Sequence, residues 1–377
     1  MYQYLLSFLM FMVVSVGLSA QTYRAPLRSD AWSAEGNAPA FVQHLGTTAM
    51  HLGGADPSAT GGNMVSLKDY TFRNGTIEYD IAFEETTRFT SIHFRRADAK
   101  NSEHFYLRAF WAGHPRINTA IQYSAILNGV NIWDLSDGYQ SAAPLRKTGW
   151  NHVKLVVKDQ QLLAYVNDME SPALYVPEMD GDWSEGAIAF DGNAYVANLE
   201  IRPGDAGTLV GSKGMDPTHN DARYLRSWEV TTPQSLPTGT ELTTEDLPTS
   251  ATTFSPIQAE HHGIVNLSRR FGPTPRGERR VVWLRKTITS DRDQLRQLDF
   301  GFSDEVYVFV NQQPLYVDKN LYNSPMMKAP RGRASIENVR IPLPLQKGEN
   351  EILVGLTNFF FGWGLVARLD DTEGLDY

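Results

Sequence analysis

The feature that most constrains this chain is a recurrent period of two. "GTIEYDIAF" (75–83), "TSIHFRR" (90–96), "HFYLRAFW" (104–111), "HVKLVVKD" (152–159), "LLAYVN" (162–167) and "GAIAFD" (186–191) alternate apolar and polar residues and end at Gly, Asn, Asp or Pro. Alternation puts successive side chains on opposite faces of a strand, and short strands at this density with turn residues between them predict an all-β sandwich. A second series runs through "YLRSWEVTT" (224–232), "GIVNLSRRF" (263–271), "RVVWLRKTITS" (280–290), "QLDFGF" (297–302), "VYVFVN" (306–311), "NVRIPLPL" (338–345), "NEILVGLTN" (350–358) and "WGLVARLD" (363–370). The pattern lapses between the two series, where Gly, Asp, Ser and Lys dominate. The expected organisation is therefore two antiparallel β-sandwiches, residues 21–204 and 224–377, joined by a linker at 205–223.

Twice a strand stops at Val-Asn, at Asn167 and at Asn311. Asn tolerates the left-handed backbone of a tight turn, so both stops read as hairpin ends. In the first, alternation is expected to bury Leu163 and Tyr165 against the opposite sheet. The polar stretch 231–256, rich in Pro and Thr, is expected to be an ordered loop wrapping the sandwich edge.

The first twenty residues, "MYQYLLSFLMFMVVSVGLSA", hold an apolar run ending in small residues, which reads as a secretory signal peptide cleaved before Gln21. The run is short for a membrane-spanning helix, so no membrane insertion is expected after cleavage, and the mature protein is expected to be secreted or periplasmic. The chain has no Cys, so packing alone must stabilise it without disulfides. A net charge of -9 and a pI near 5.5 argue against a nucleic-acid or anionic-membrane partner, and a neutral ligand such as a glycan is compatible with them.

"FRNGTIEYDI" (72–81), "FRRADAKNSEHFYLRAF" (94–110), "ILNGVNIWDL" (126–135) and "TGWNHVKLVVKDQQLLAYVND" (148–168) together resemble the concanavalin A-like lectin/glucanase fold in its laminin G-like, secreted bacterial branch, over residues 35–202. "LRSWEVTTP" (225–233), "FGFSDEVYVFVNQQPLY" (300–316), "IPLPLQKGENEILVGL" (341–356) and "GWGLVARL" (362–369) resemble the galactose-binding-like jelly roll, an accessory module of carbohydrate-active enzymes. These resemblances imply a carbohydrate partner and a role in glycan utilisation. They specify the fold better than the ligand.

Glu78, Asp80 and Glu84 share one face of a strand, where the laminarinase-type hydrolases of that fold carry their acids. Glu78 and Glu84 are some 20 Å apart along an extended strand, too far to flank one glycosidic bond. They are expected to be solvent-face residues of an edge or outer strand. If the chain were a glycoside hydrolase or a keto-sugar-cleaving enzyme, the candidate acids and bases would be Asp80, Glu103 and His93. The preferred site is a binding face. Ser91, His93 and Arg95 should project away from the core beside His104, Tyr106 and Arg108, mixing planar hydrogen-bonding groups with a ring face as sugars require. Trp111 and Trp133, with Tyr139 and Trp183, are candidate stacking platforms in or near loops. Asp180, Asp182 and Glu185 in "MDGDWSEG" could hold a structural Ca²⁺, and no other cofactor is expected. His261 and His262, read as strand neighbours, should point to opposite faces and share no zinc. Carbohydrate recognition without catalysis is the reading adopted, with an adhesion or structural module as a further alternative.

Overall fold

The structure, a computed structural model, describes residues 21–53, 63–136, 138–211 and 216–377. The proposed signal peptide lies outside them. Among the described residues the chain is almost wholly antiparallel β-structure, as the alternation predicted. In the first sandwich, one sheet centres on Gly75–Phe83, hydrogen-bonded to Asn151–Lys158 and Ala194–Pro203. The facing sheet centres on Phe89–Asp98, between Asn101–Arg108 and Ala187–Gly192. Their inward residues, among them Tyr79, Ile92, Phe94, Phe105, Leu155 and Phe190, close a single core. The second sandwich packs a sheet built on Arg280–Ser290, Gly348–Asn358 and Asp304–Val310 against one built on Gln294–Phe302, Val339–Leu345 and Gly364–Leu369. Phe300, Phe302 and Trp363 fill the space between them.

Both Val-Asn stops are turns in which Asn takes the left-handed conformation, with φ 61° at Asn167 and 49° at Asn311. Asn311 and Gln312, the latter at φ 65°, together have the two positive φ values of a type I′ hairpin, and Val310 pairs with Gln313 across it. The face assignment before Asn167 is the reverse of that expected. Leu162, Ala164 and Val166 enter the core, while Tyr165 lies on the outer face beneath the Lys154 ammonium, 3.9 Å from its ring centre. Register explains the difference. Lys154 pairs with Tyr165 and Leu155 with Ala164, so the face of this strand follows that of its neighbour, whose Val153, Leu155 and Val157 are inward. Leu162→Ala is therefore expected to cost about 2–5 kcal/mol, and Tyr165→Ala less than half of that, as read from urea midpoints.

The strand carrying Glu78 and Asp80 is central in its sheet, not an edge, but the two carboxylates do lie on the outer face. His152 reaches Asp80 at 2.7 Å and Glu78 at 3.4 Å, and Arg202 also bonds Glu78. Glu84 is held by His51 and Asn193. The Pro- and Thr-rich stretch is ordered, and it covers a sheet face as well as an edge. Leu236, Leu242, Leu247 and Phe254 pack on Trp283, Tyr307, Phe309 and Leu353 on the outside of the second sandwich.

The two sandwiches meet along an apolar seam. Leu127, Val130, Ile132 and Leu135 from the first half pack with Ile264, Ala334 and Val366 from the second. A bond from Ala334 N to Asp134 O, 2.8 Å long, ties the two backbones beside it.

Candidate functional site

The strands Phe89–Asp98, Asn101–Arg108 and Ala187–Gly192 turn one face away from their core, and on it His93 lies directly opposite His104, and Ser91 opposite both Tyr106 and Asp191. Alternation thus delivers Ser91, His93, His104, Tyr106 and Arg108 to the expected face. What the sequence could not reveal is that this face is roofed. Tyr322, Phe360 and Phe361 of the second sandwich close over it with Trp133, leaving a cleft of about 460 Å³.

The floor of the cleft, Arg108 and Tyr106, is fixed by a buried polar network behind it. Arg108 donates to Gln122 Oε1 at 2.7 Å, to the Tyr106 hydroxyl at 3.0 Å and to Thr119 O, while Tyr106 donates to Gln122 Oε1 at 2.9 Å. Gln122 Nε2 donates to Trp133 O at 3.0 Å, anchoring the loop that carries the indole. Arg333 arrives from the other sandwich, stacks 4.9 Å over the Trp133 ring and donates to Gln140 at 2.9 Å. Burial pushes the Tyr106 phenol up to about 12, so it stays a donor at neutral pH.

The wall is aromatic. Trp133 meets Tyr322 edge-on at 4.9 Å and Phe361 at 5.9 Å, and Tyr322 stacks with Phe360. Tyr322 and Phe361 remain 41% and 46% exposed, enough for a ligand to touch them. Phe361 has φ 46°, an uncommon and strained conformation for a bulky side chain. Two buried carboxylates hold it there. Asp304, from the second sandwich, accepts the Phe359 and Phe360 N–H groups at 2.7 and 3.1 Å; Asp134, from the first, accepts that of Gly362 at 2.9 Å. Residue 362 must be Gly, since a Cβ there would stand 2.3 Å from Asp134 Oδ1. Burial raises both acids, Asp134 to about 7, against the pull of the N–H donors.

Beside the aromatic wall, the face holds His93, His104 and Asp191. His93 Nδ1 bonds Ser102 Oγ at 2.9 Å, and its Nε2 lies 3.3 Å from Asp191 Oδ2. Burial, reinforced by the neighbouring His93, pushes His104 down to about 3. Burial works to raise the Asp191 carboxyl, but the hydrogen bond and charge of His93 hold it well below the usual carboxylate range.

The other candidates are scattered. Arg95 does not project with Ser91 and His93. A β-bulge follows Phe94, Arg95 takes φ 47°, and its guanidinium swings away to Arg73 O, Asp159 O and Asn74 Oδ1. Glu103 points into the core and accepts the Tyr123 hydroxyl at 2.6 Å; burial foremost raises it to about 7. Asp80 is on the outer face of the opposite sheet, so Asp80, Glu103 and His93 occupy three different environments and do not converge. Trp111 ends a short 3₁₀ turn and packs at the edge of the first core. Trp183 lies against the seam, and Tyr139 is buried with its hydroxyl on Glu178 O.

A larger cavity, about 700 Å³, is lined by Glu178, Asp180, Asp182 and Glu260, but its charges are spent on one another. His261 bonds Asp180 at 2.6 Å, Arg269 bonds Asp182 and Glu260, and Glu185 is exposed. His261 and His262 form a 3₁₀ turn with His262 at φ 58°, not a strand, and His262 bonds Tyr139.

No family model and no curated protein matches the chain. Among solved structures it is similar to the carbohydrate-binding module CBM66 from Bacillus subtilis, at 16% identity and a TM-score of 0.33 over 47% of this chain and 99% of that one. It is also similar to a Bacillus subtilis protein of unknown function with a galectin-like fold, at 15% identity and a TM-score of 0.35 over 48% and 94%. A native glycosidic hydrolase gives 10% identity and a TM-score of 0.34 over 50% and 98%. Likenesses this distant carry no argument about what this chain binds.

Proposed function

We propose that the protein recognises carbohydrate in the cleft between its two sandwiches, as a secreted or periplasmic component of glycan utilisation that binds without cleaving. The observation carrying this reading is the pairing of an aromatic wall, Trp133, Tyr322 and Phe361, with a hydrogen-bonding floor, Arg108 and Tyr106, which buried Gln122 holds from behind. A pyranose presents an apolar ring face and a rim of hydroxyls, and it needs both surfaces at once. The strain retained at Phe361 supports the same reading, because a costly backbone conformation that buried carboxylates hold in place is characteristic of ligand clamps. Binding is favoured over paired-carboxylate hydrolysis because that chemistry needs two carboxyl groups flanking one bond. Among the described residues lining the cleft, the carboxylate is Asp191.

Phe361→Gly separates recognition from stability. Glycine accepts the positive φ without strain, so the variant should be no less stable than the parent, yet it removes a ring from the wall. On a glycan array followed by calorimetric titration with the best oligosaccharide, affinity is expected to fall at least tenfold, about 1.4 kcal/mol. Tyr322→Ala should act in the same direction. Unchanged affinity in both variants, or an array on which the parent protein binds nothing, refutes the proposal. Reducing-sugar release that is lost with Asp191→Asn would move the protein to the hydrolases.

A further inference from the structure

His93, His104 and Asp191 are brought together by register alone. His93 and His104 are direct cross-strand partners, and Asp191 comes from the strand on the other side, two residues along from the partner of His93. All three turn to the same face. The two imidazole centres are 4.6 Å apart, and one ligand atom from each residue can be chosen so that all lie within 4.8 Å of one another.

Several details distinguish this cluster from an ordinary buried polar group. His93 engages Ser102 through Nδ1, which fixes the ring and turns Nε2 toward Asp191. A hydrogen bond on the far nitrogen is the usual support of a metal-binding histidine. His104 is only 5% exposed, and its Nδ1 makes no hydrogen bond to any side chain; the Ser124 backbone is the polar group that acts on the ring from behind. His104 and Asp191 both line the cleft, so the protein surrounds the cluster on one side and the ligand space borders it on the other.

We propose that His93, His104 and Asp191 bind one divalent first-row transition metal, with a further coordination position facing the cleft. Two imidazoles and one carboxylate suit zinc, cobalt or iron(II), whereas calcium and magnesium prefer all-oxygen sites. Three protein ligands and an open side are the arrangement in which such an ion can take an oxygen of a bound molecule. For a carbohydrate in the cleft, that oxygen would be a hydroxyl or carbonyl, so the ion would choose among sugars by where they carry adjacent oxygens. This last step rests on the carbohydrate reading. The metal site itself does not.

The test uses the full chain after treatment with a chelator and its removal, titrated with zinc sulfate by calorimetry and with cobalt(II) by visible absorption. Uptake of one equivalent is expected, with a cobalt band of the intensity typical of four- or five-coordinate ions. Asp191→Asn, nearly isosteric, and His104→Ala should each weaken zinc by more than about tenfold, since loss of even a group that supports a ligand costs about 10–100-fold. His152→Ala, on the outer face of the other sheet, should leave it unchanged. Circular dichroism of each chelated variant shows whether its fold is retained, and Asp191→Asn stands as the decisive variant should His104→Ala unfold. No uptake by the parent, or uptake equally tight in Asp191→Asn, overturns the proposal. Oligosaccharide binding that persists in the chelated protein without zinc uptake would sink the metal site alone, and zinc uptake with a silent glycan array would sink the carbohydrate reading alone.

Discussion

At pH 8, Glu103→Gln is expected to unfold at a higher temperature than the parent protein, and at pH 4 the two should unfold together. Glu103 has no solvent exposure; its Oε2 accepts from Tyr123, and its Oε1 lies against the Gly181 backbone with no side-chain donor. Burial raises its pKa from 4.5 to about 7, against the opposing pull of the Tyr123 hydroxyl and the Arg95 charge. The folded state therefore holds its proton more tightly than the unfolded chain does. Its contribution to stability is complete below about pH 4.5 and is lost as pH rises through about 7. A shift of this size corresponds to about 3 kcal/mol at alkaline pH, which the amide would recover because it has no charge to bury. Calorimetric scans at pH 4, 6 and 8 measure the difference. A gap independent of pH would mean that Glu103 ionises in the folded protein as it does in the unfolded one. The core location also removes Glu103 from the acids available to a ligand, so the variant should bind oligosaccharide as the parent does.

Arg279→Ala should be among the most destabilising single substitutions in the second sandwich. Arg279 and Glu305 form an ion pair with both side chains almost wholly buried, and Thr357 and Lys319 also contact the carboxylate. The same guanidinium donates to Thr240 O at 2.6 Å and to the Tyr307 hydroxyl at 3.2 Å. Removing one partner of a buried pair costs about 3–5 kcal/mol when the other charge is stranded; here Glu305 keeps Lys319 and Thr357, so the lower end of that range is expected. The substitution also detaches the stretch that covers Trp283 and Tyr307, so limited proteolysis within residues 231–256 should accelerate alongside the fall in urea midpoint. Cleavage at the parental rate would show that the apolar contacts of Leu236, Leu242 and Phe254 hold that stretch without the ion pair.

Much of this architecture was legible from alternation because a two-residue period is a local property. The strands, the two Asn turns and the outward set Ser91, His93, His104, Tyr106 and Arg108 follow from it. The errors fall where local pattern gives way to register. Leu162, Leu163, Ala164 and Tyr165 are all compatible with a buried face, and only pairing with Asn151–Lys158 decides which pair is inward. Arg95 fits the alternation on paper, but one extra residue in a bulge rotates it off the face. The aromatic roof could not be placed from sequence at all, since Tyr322 and Phe361 reach Trp133 from positions 322 and 361, far along the chain. One signal was present, however: "FFF" at 359–361 breaks the alternation at the end of a strand, where successive rings cannot all enter one core. Asp191 was visible as the last residue of "GAIAFD", but nothing local pairs it with two histidines.

The clamp on the Phe359–Gly362 loop draws one carboxylate from each sandwich, and this has a mechanical corollary. A molecule gripped between wall and floor acts as a cross-brace, because separating the halves would tear it from one of its two surfaces. Occupancy should thus stiffen the whole assembly against shear along its apolar seam, and each half produced by itself would present an incomplete grip.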